Sequence, residues 1–176
     1  MQPEDFMKNQ LNTKTLVFTA LLIALSYLGS LVKIFGSVAL DALPAYFGAL
    51  MLGGPIGALI GAVGHLFSAA LSGFPMGLPM HILVAACMAG ACYAYAWINK
   101  KTNLVVASVA AILINGVVMT FLSGVLAVIL GISPSVMGFV IPMLVPLLIA
   151  STVNVVIAAL LYLAFEKALK GKFTQE

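Results

Sequence analysis

LGGPIGALIGAVGHLFSAALSGFPMGLPMHIL, residues 52–83, joins two kinds of chain. Its first part is an apolar run in which His65 is the one ionisable side chain. Gly54, Gly57, Gly61, Gly64, Ser68 and Ser72 recur along it at spacings of three and four. On a helix that spacing makes one smooth stripe, which lets helix backbones approach closely in lipid. We expect the stripe to pack spans within one bundle, with self-pairing through Gly57-x-x-x-Gly61 as the alternative. The second part breaks the rhythm. Between Ser72 and His81 two glycines, two prolines, a phenylalanine and two methionines crowd together. Glycine and proline impose backbone shapes that a helix does not adopt. In a membrane such shapes are tolerated at depth where they are buried in protein or line a cavity.

The whole chain follows the apolar half of this stretch. Of its 176 residues, 63% are hydrophobic and 7% charged. A soluble domain carries about a quarter charged residues, so the bilayer is the expected solvent. A transmembrane helix takes roughly 20 residues, and about six of them use the whole length. The expected fold is therefore an all-α integral membrane protein, a six-transmembrane-helix bundle forming a single domain over residues 1–176. The spans are expected at about 15–31, 40–52, 56–71, 80–98, 104–130 and 139–165. Acidic Glu4 and Asp5 near the start, with no small-residue cleavage pattern after the first apolar stretch, argue against a cleaved signal peptide.

All the basic residues are lysines. Lys8 and Lys14 precede the first span, Lys100 and Lys101 separate the fourth and fifth, and Lys167, Lys170 and Lys172 follow the sixth. Six spans put these three places on one side, which the positive-inside rule makes cytoplasmic. Both termini are then inside, and only Lys33 falls outside. The net charge of +3 sits at membrane ends and is no nucleic-acid signal. Tyr93, Tyr95 and Trp97, just before the Lys100-Lys101 pair, are expected to form an interfacial belt. Cys87 and Cys92 are expected to be small buried hydrophobes.

This topology makes 32–40, 72–79 and 131–138 the outer loops. Polar groups inside apolar spans are costly, hence informative. Asp41 opens the second span, His65 lies in the outer half of the third and His81 opens the fourth. Asn115 is near the middle of the fifth, and Asn154, a turn after Ser151, is midway along the sixth. Each has a plainer reading: Asp41 as a helix cap, His65 as a satisfied core histidine, the asparagines as interhelical hydrogen-bond partners. Two faces nevertheless converge on the same half of the bundle. His81, Ala85 and Met88 share one; Asn115, Met119 and Ser123 share another. With Met76, Met80 and Met143 they suggest a soft, apolar small-molecule pocket with a few polar groups. Phe74 and Met80 are expected to cover a ring, and His81 to supply one hydrogen bond.

No G-x-x-x-x-G-K-[ST] loop, H-E-x-x-H motif or paired intramembrane carboxylate is present. No enzyme, metal or cofactor is therefore expected. Between Thr102 and Phe165 there is no charge, whereas ion-coupled carriers place ionisable groups near the midplane. The chain reads as a binder that another protein must energise. Its rivals are a lipid-modifying enzyme using Asp41, His65 and His81, and a structural subunit without a ligand.

TALLIALS, residues 19–26, carries Ala20 and Ala24 one turn apart. With the Gly/Pro-rich stretch at 52–73, the size and the helix count, it gives the sequence its likeness. The chain resembles the S components, the substrate-specific subunits of energy-coupling factor (ECF) vitamin transporters. The resemblance implies a vitamin-like small molecule bound from outside, in a pocket built by the outer loops and helices four to six. It implies three protein partners, an ECF transmembrane coupling subunit and two ATPase subunits, in the cell membrane of a prokaryote. Ala20 and Ala24 would face the coupling subunit, and the S component would topple in the membrane to release its cargo. FPMGLPMH, residues 74–81, is most similar to the branch that takes up alpha-ribazole, a neutral nucleoside precursor of cobalamin. Riboflavin, a pyridoxine-type vitamin and pantothenate remain open.

Overall fold

The computed structural model describes residues 12–35 and 38–173, with side chains placed for 12–32 and 39–168. Lys8, Glu4 and Asp5 lie outside the described residues. Among those described there are six helices and one short hairpin. Helix α1 is Thr13–Gly29, β1 is Lys33–Phe35, β2 is Val38–Ala39, α2 is Leu43–Leu52 and α3 is Gly54–Leu71. Helix α4 is Leu78–Lys101, α5 is Leu104–Ile129, and α6 is Val136–Phe173. Four stretches are long and apolar enough to cross a membrane: α3, α4, α5 and Val136–Ala168 of α6.

The helix ends have local causes. Asn12 and Asn103 each accept, through Oδ1, a backbone N–H of the first turn, at 2.8 Å from Thr15 and 2.9 Å from Val106. Gly53 takes φ +97, a left-handed value suited to glycine, and turns the chain from α2 straight into α3. Pro44, Pro55 and Pro79 each sit in the first turn of a helix, where no N–H is needed.

Helix α2 occupies the middle of the bundle, against α1, α3, α4 and α6. It has 10 residues, roughly 15 Å of helix and about half the hydrocarbon thickness. The chain before it folds back against the bundle, the hairpin meeting α6. Asp41 thus comes to the level of His65, six residues or roughly 9 Å in from the end of α3.

The small-residue stripe faces inward along α3. A Cβ on Gly57 would collide with Ala49 of α2. One on Gly64 would lie 2.7 Å from Ser26 Cβ of α1, and one on Gly61 3.1 Å from Cys92 Sγ of α4. The stripe is used up by contacts within the bundle. Outward, the surface is apolar: Val105, Ile129 and Ile141 are 73%, 73% and 72% exposed. A chain that turns such side chains outward has lipid as its solvent.

Tyr95 departs from the belt expected of it. Tyr93 and Trp97, four apart, share the exposed face, but Tyr95 lies about 200° around the helix and is fully buried. Its ring meets Tyr46 edge-on at 5.5 Å, and its hydroxyl lies 3.2 Å from Ser108 Oγ. Cys92 is fully buried and Cys87 partly so, both as free thiols.

Candidate functional site

Above the short α2 lies a cavity of about 110 Å³. It is walled by the β2 end of the hairpin, the start of α2, and faces of α3 to α6. Asp41, His65, Met80, His81, Met88, Asn115, Met119, Ser123 and Asn154 all line it. Phe74 does not; its ring stands 5.8 Å from that of His81, at 63°, behind the lining.

Three polar side chains form a chain along the rim. His81 Nε2 lies 2.7 Å from the Pro75 carbonyl oxygen, and His65 Nε2 lies 3.2 Å from His81 Nδ1. A carbonyl only accepts, so the Nε2 proton of His81 donates to it. His81 Nδ1 then accepts from the Nε2–H of His65. At the far end His65 Nδ1 lies 3.6 Å from Asp41 Oδ2. The chain ends on that contact. It ties α4, α3 and the entry to α2 to the 72–77 loop.

That loop is held in an uncommon shape. Phe74 and Met76 have φ +49 and +68, between Gly73 at +73 and Gly77 at +85. The Phe74 N–H donates to the Ala69 carbonyl, and the Gly77 N–H to that of Phe74, both at 2.8 Å. Left-handed geometry disfavours side chains other than glycine. Neighbouring bonds over-determine the loop, as they commonly do at functional sites.

Two asparagines stand deeper. Asn154 Nδ2 donates to the carbonyls of Ala150, at 2.8 Å, and Ala39, at 3.3 Å, tying α6 to the hairpin. Asn115 Nδ2 donates to Ser151 Oγ at 2.8 Å. Both side chains are buried, and their Oδ1 atoms have no hydrogen-bond partner. Asn115 sits in a single π turn, Ile114–Val118, inside α5. Such one-residue expansions re-aim side chains and occur often at functional sites. Gly116 in the same turn allows contact with Leu148 of α6, since a Cβ there would lie 2.7 Å from Leu148 Cδ2.

The remaining lining is Ala39, Ala42, Met76, Val84, Phe139, Met143 and Leu147. Met76 and Met143 were marked by their residue type, and Val84 shares the face of His81 and Met88. Phe139 and Leu147 were missed. They stand four residues either side of Met143, but α6 is apolar all round and no period singles out that face. Asp41, His65 and His81 run as a chain rather than converging. Among the described residues no three His, Cys, Asp or Glu side chains are placed to share a metal ion.

Ala20 and Ala24 lie elsewhere, on the exposed face of α1. With Ile23, Tyr27, Leu28 and Phe67 they line an open apolar groove.

A family model described as ECF transporter, substrate-specific component, matches residues 14–166. The chain belongs to this family. It is therefore an S component, a transporter subunit and not an enzyme. S components work with an ECF membrane subunit and ATPases, which fits a chain without a nucleotide-binding loop. The match covers α1 to α5 and most of α6, so the cavity and the alanine groove both fall inside it. Neither the curated proteins nor the solved structures gave a match.

Proposed function

We propose that this S component captures a small neutral vitamin precursor from outside the cell, in the cavity above α2. A separate ATP-driven module then energises its delivery inward. The cavity itself carries the reading: one hollow gathers methionines, two buried amides and a histidine pair under an irregular outer loop. An apolar lining with a few placed polar groups is how small-molecule sites are built.

Alpha-ribazole suits this inventory best. Its flat benzimidazole matches the methionines Met76, Met80, Met119 and Met143, and its ribose hydroxyls match the amides and His81. About 110 Å³ is below the roughly 300 Å³ at the lower end of ligand pockets. Unbranched thioether side chains swing aside readily, so the methionines make room as the ligand enters.

In the proposed topology the chain passes the plasma membrane of a prokaryote six times with both termini inside, α2 making the second passage together with the hairpin before it. Lys14, Lys100, Lys101 and Lys167 then lie on the cytoplasmic side, with exposed Tyr93 and Trp97 at that interface. Helix α1 meets the coupling subunit through Ala20 and Ala24, whose small side chains and open groove let another helix come close. The test is reconstitution with an ECF coupling subunit and its ATPases in proteoliposomes. Labelled alpha-ribazole should accumulate with ATP and not without it. Binding without ATP-dependent accumulation would contradict the transport role.

A further inference from the structure

Asn154 gives the cavity a chemical preference. Its two amide hydrogens go to backbone carbonyls, Ala150 at 2.8 Å and Ala39 at 3.3 Å. Carbonyls cannot donate, so the amide cannot be turned over, and its oxygen is committed to the other direction. That oxygen is buried in a side chain 2% exposed, has no donor, and belongs to a residue lining the cavity. Asn115, 6% exposed, is less constrained: its amide lies 2.8 Å from Ser151 Oγ, a hydroxyl that both donates and accepts, so that contact alone does not fix which end of the amide is left unpaired. Native proteins leave few buried polar atoms unpaired, and each such atom calls for an explanation. A buried acceptor whose direction is fixed, on a residue that lines a cavity, is explained by a donor brought in by a ligand.

Charge points the same way. Among the described side chains Asp41 lines the cavity and no lysine does, and the chain has no arginine. The side chain facing Asp41 is His65, whose Nδ1 lies 3.6 Å from Asp41 Oδ2. A carboxylate entering here would meet the Asp41 carboxylate and the Asn154 amide oxygen, with no lysine among the described lining side chains to offset it.

We infer that the site reads hydrogen-bond donors and rejects carboxylates. Its ligand is a neutral or cationic molecule with a flat apolar body and an O–H or N–H group directed at Asn154. This rests on the binding role proposed above and narrows it: a pantothenate-like acid is excluded, a hydroxylated heterocycle is admitted.

The test uses matched pairs on the purified full chain in lipid nanodiscs, read by calorimetry and thermal shift. The pairs are pyridoxine and 4-pyridoxate, panthenol and pantothenate, and alpha-ribazole and its tri-O-methyl ether. Any small molecule released on denaturing the purified protein is identified in parallel. In whichever pair binds, the hydroxyl member should bind at least about tenfold more tightly, the loss expected when a buried acceptor goes unpaired. A carboxylate or methyl ether bound as tightly as its partner overturns the inference and leaves the transporter reading standing. So does a released molecule that is a carboxylate or lacks donors, whereas a released neutral donor supports the inference. If no pair binds and nothing is released, the binding role itself falls, and the inference with it. Asn154→Leu should bring the members of a binding pair toward parity. Should that variant not fold, the pairs on the unaltered protein carry the test.

Discussion

His81→Ala tests the rim most sharply. His81 is 3% exposed and holds the 72–77 loop through Pro75, while Phe74 packs edge-on against its ring. Phe74 and Met76, at φ +49 and +68, each add about 1 kcal/mol of backbone strain to the closed loop. The His81–Pro75 bond contributes about 1 kcal/mol against that strain, and the ring contact about 0.5 kcal/mol. Removing both raises the open population of the loop about tenfold. Ligand affinity should fall by a similar factor, and hydrogen exchange at the amides of Phe74 and Gly77 should quicken about tenfold. Helical content should not change, because the backbone bonds of α4 do not depend on the imidazole. Calorimetry and exchange mass spectrometry read the two effects independently. Unchanged affinity with unchanged exchange would show that His81 neither holds the loop nor touches the ligand.

Ala24→Trp should fill the groove on α1 and abolish uptake by the reconstituted transporter while leaving ligand affinity within about twofold; lost binding would mean that the alanine face packs the bundle. Gly57→Leu should drive a side chain into Ala49 and cost about 3 kcal/mol or more, seen as loss of monodisperse protein after extraction. A folded variant changed only in oligomeric state would instead support self-pairing through this helix. Asp41→Asn removes the negative charge facing His65, and should raise affinity for the carboxylate member of a binding pair about tenfold; no change would remove Asp41 from ligand selection.

The sequence yields its punctuation readily and its pairings poorly. Gly53-Gly54-Pro55 is a turn signal whose chemistry is local, and α2 ends and α3 begins there. The glycine stripe implied tight packing, and the bundle uses it so, against α1, α2 and α4. The polar part of the candidate site was visible because a polar group in an apolar span stands out, and the methionines by their residue type. Which polar groups meet was not visible: the His65–His81 contact depends on how α3 and α4 align across the loop between them. The π turn at Asn115 depends on the fit of Gly116 against Leu148, which no local pattern encodes. Tyr95 is near the lysines in sequence, but helical phase turns it to the core beside Tyr46, away from the face of Tyr93 and Trp97. Helix α2 begins at Leu43, later than the apolar pattern suggests. Its shortness, which opens the cavity, follows from the hairpin folding back into the bundle.

The central claim is that the hollow above α2 holds a small molecule taken from outside. Its most direct test is to purify the protein in mild detergent, denature it, and identify by mass spectrometry what is released. The account predicts about one neutral molecule with hydroxyl or N–H donors per chain, alpha-ribazole foremost, and its loss from the His81→Ala protein. An empty protein that no member of the matched pairs stabilises would contradict the account.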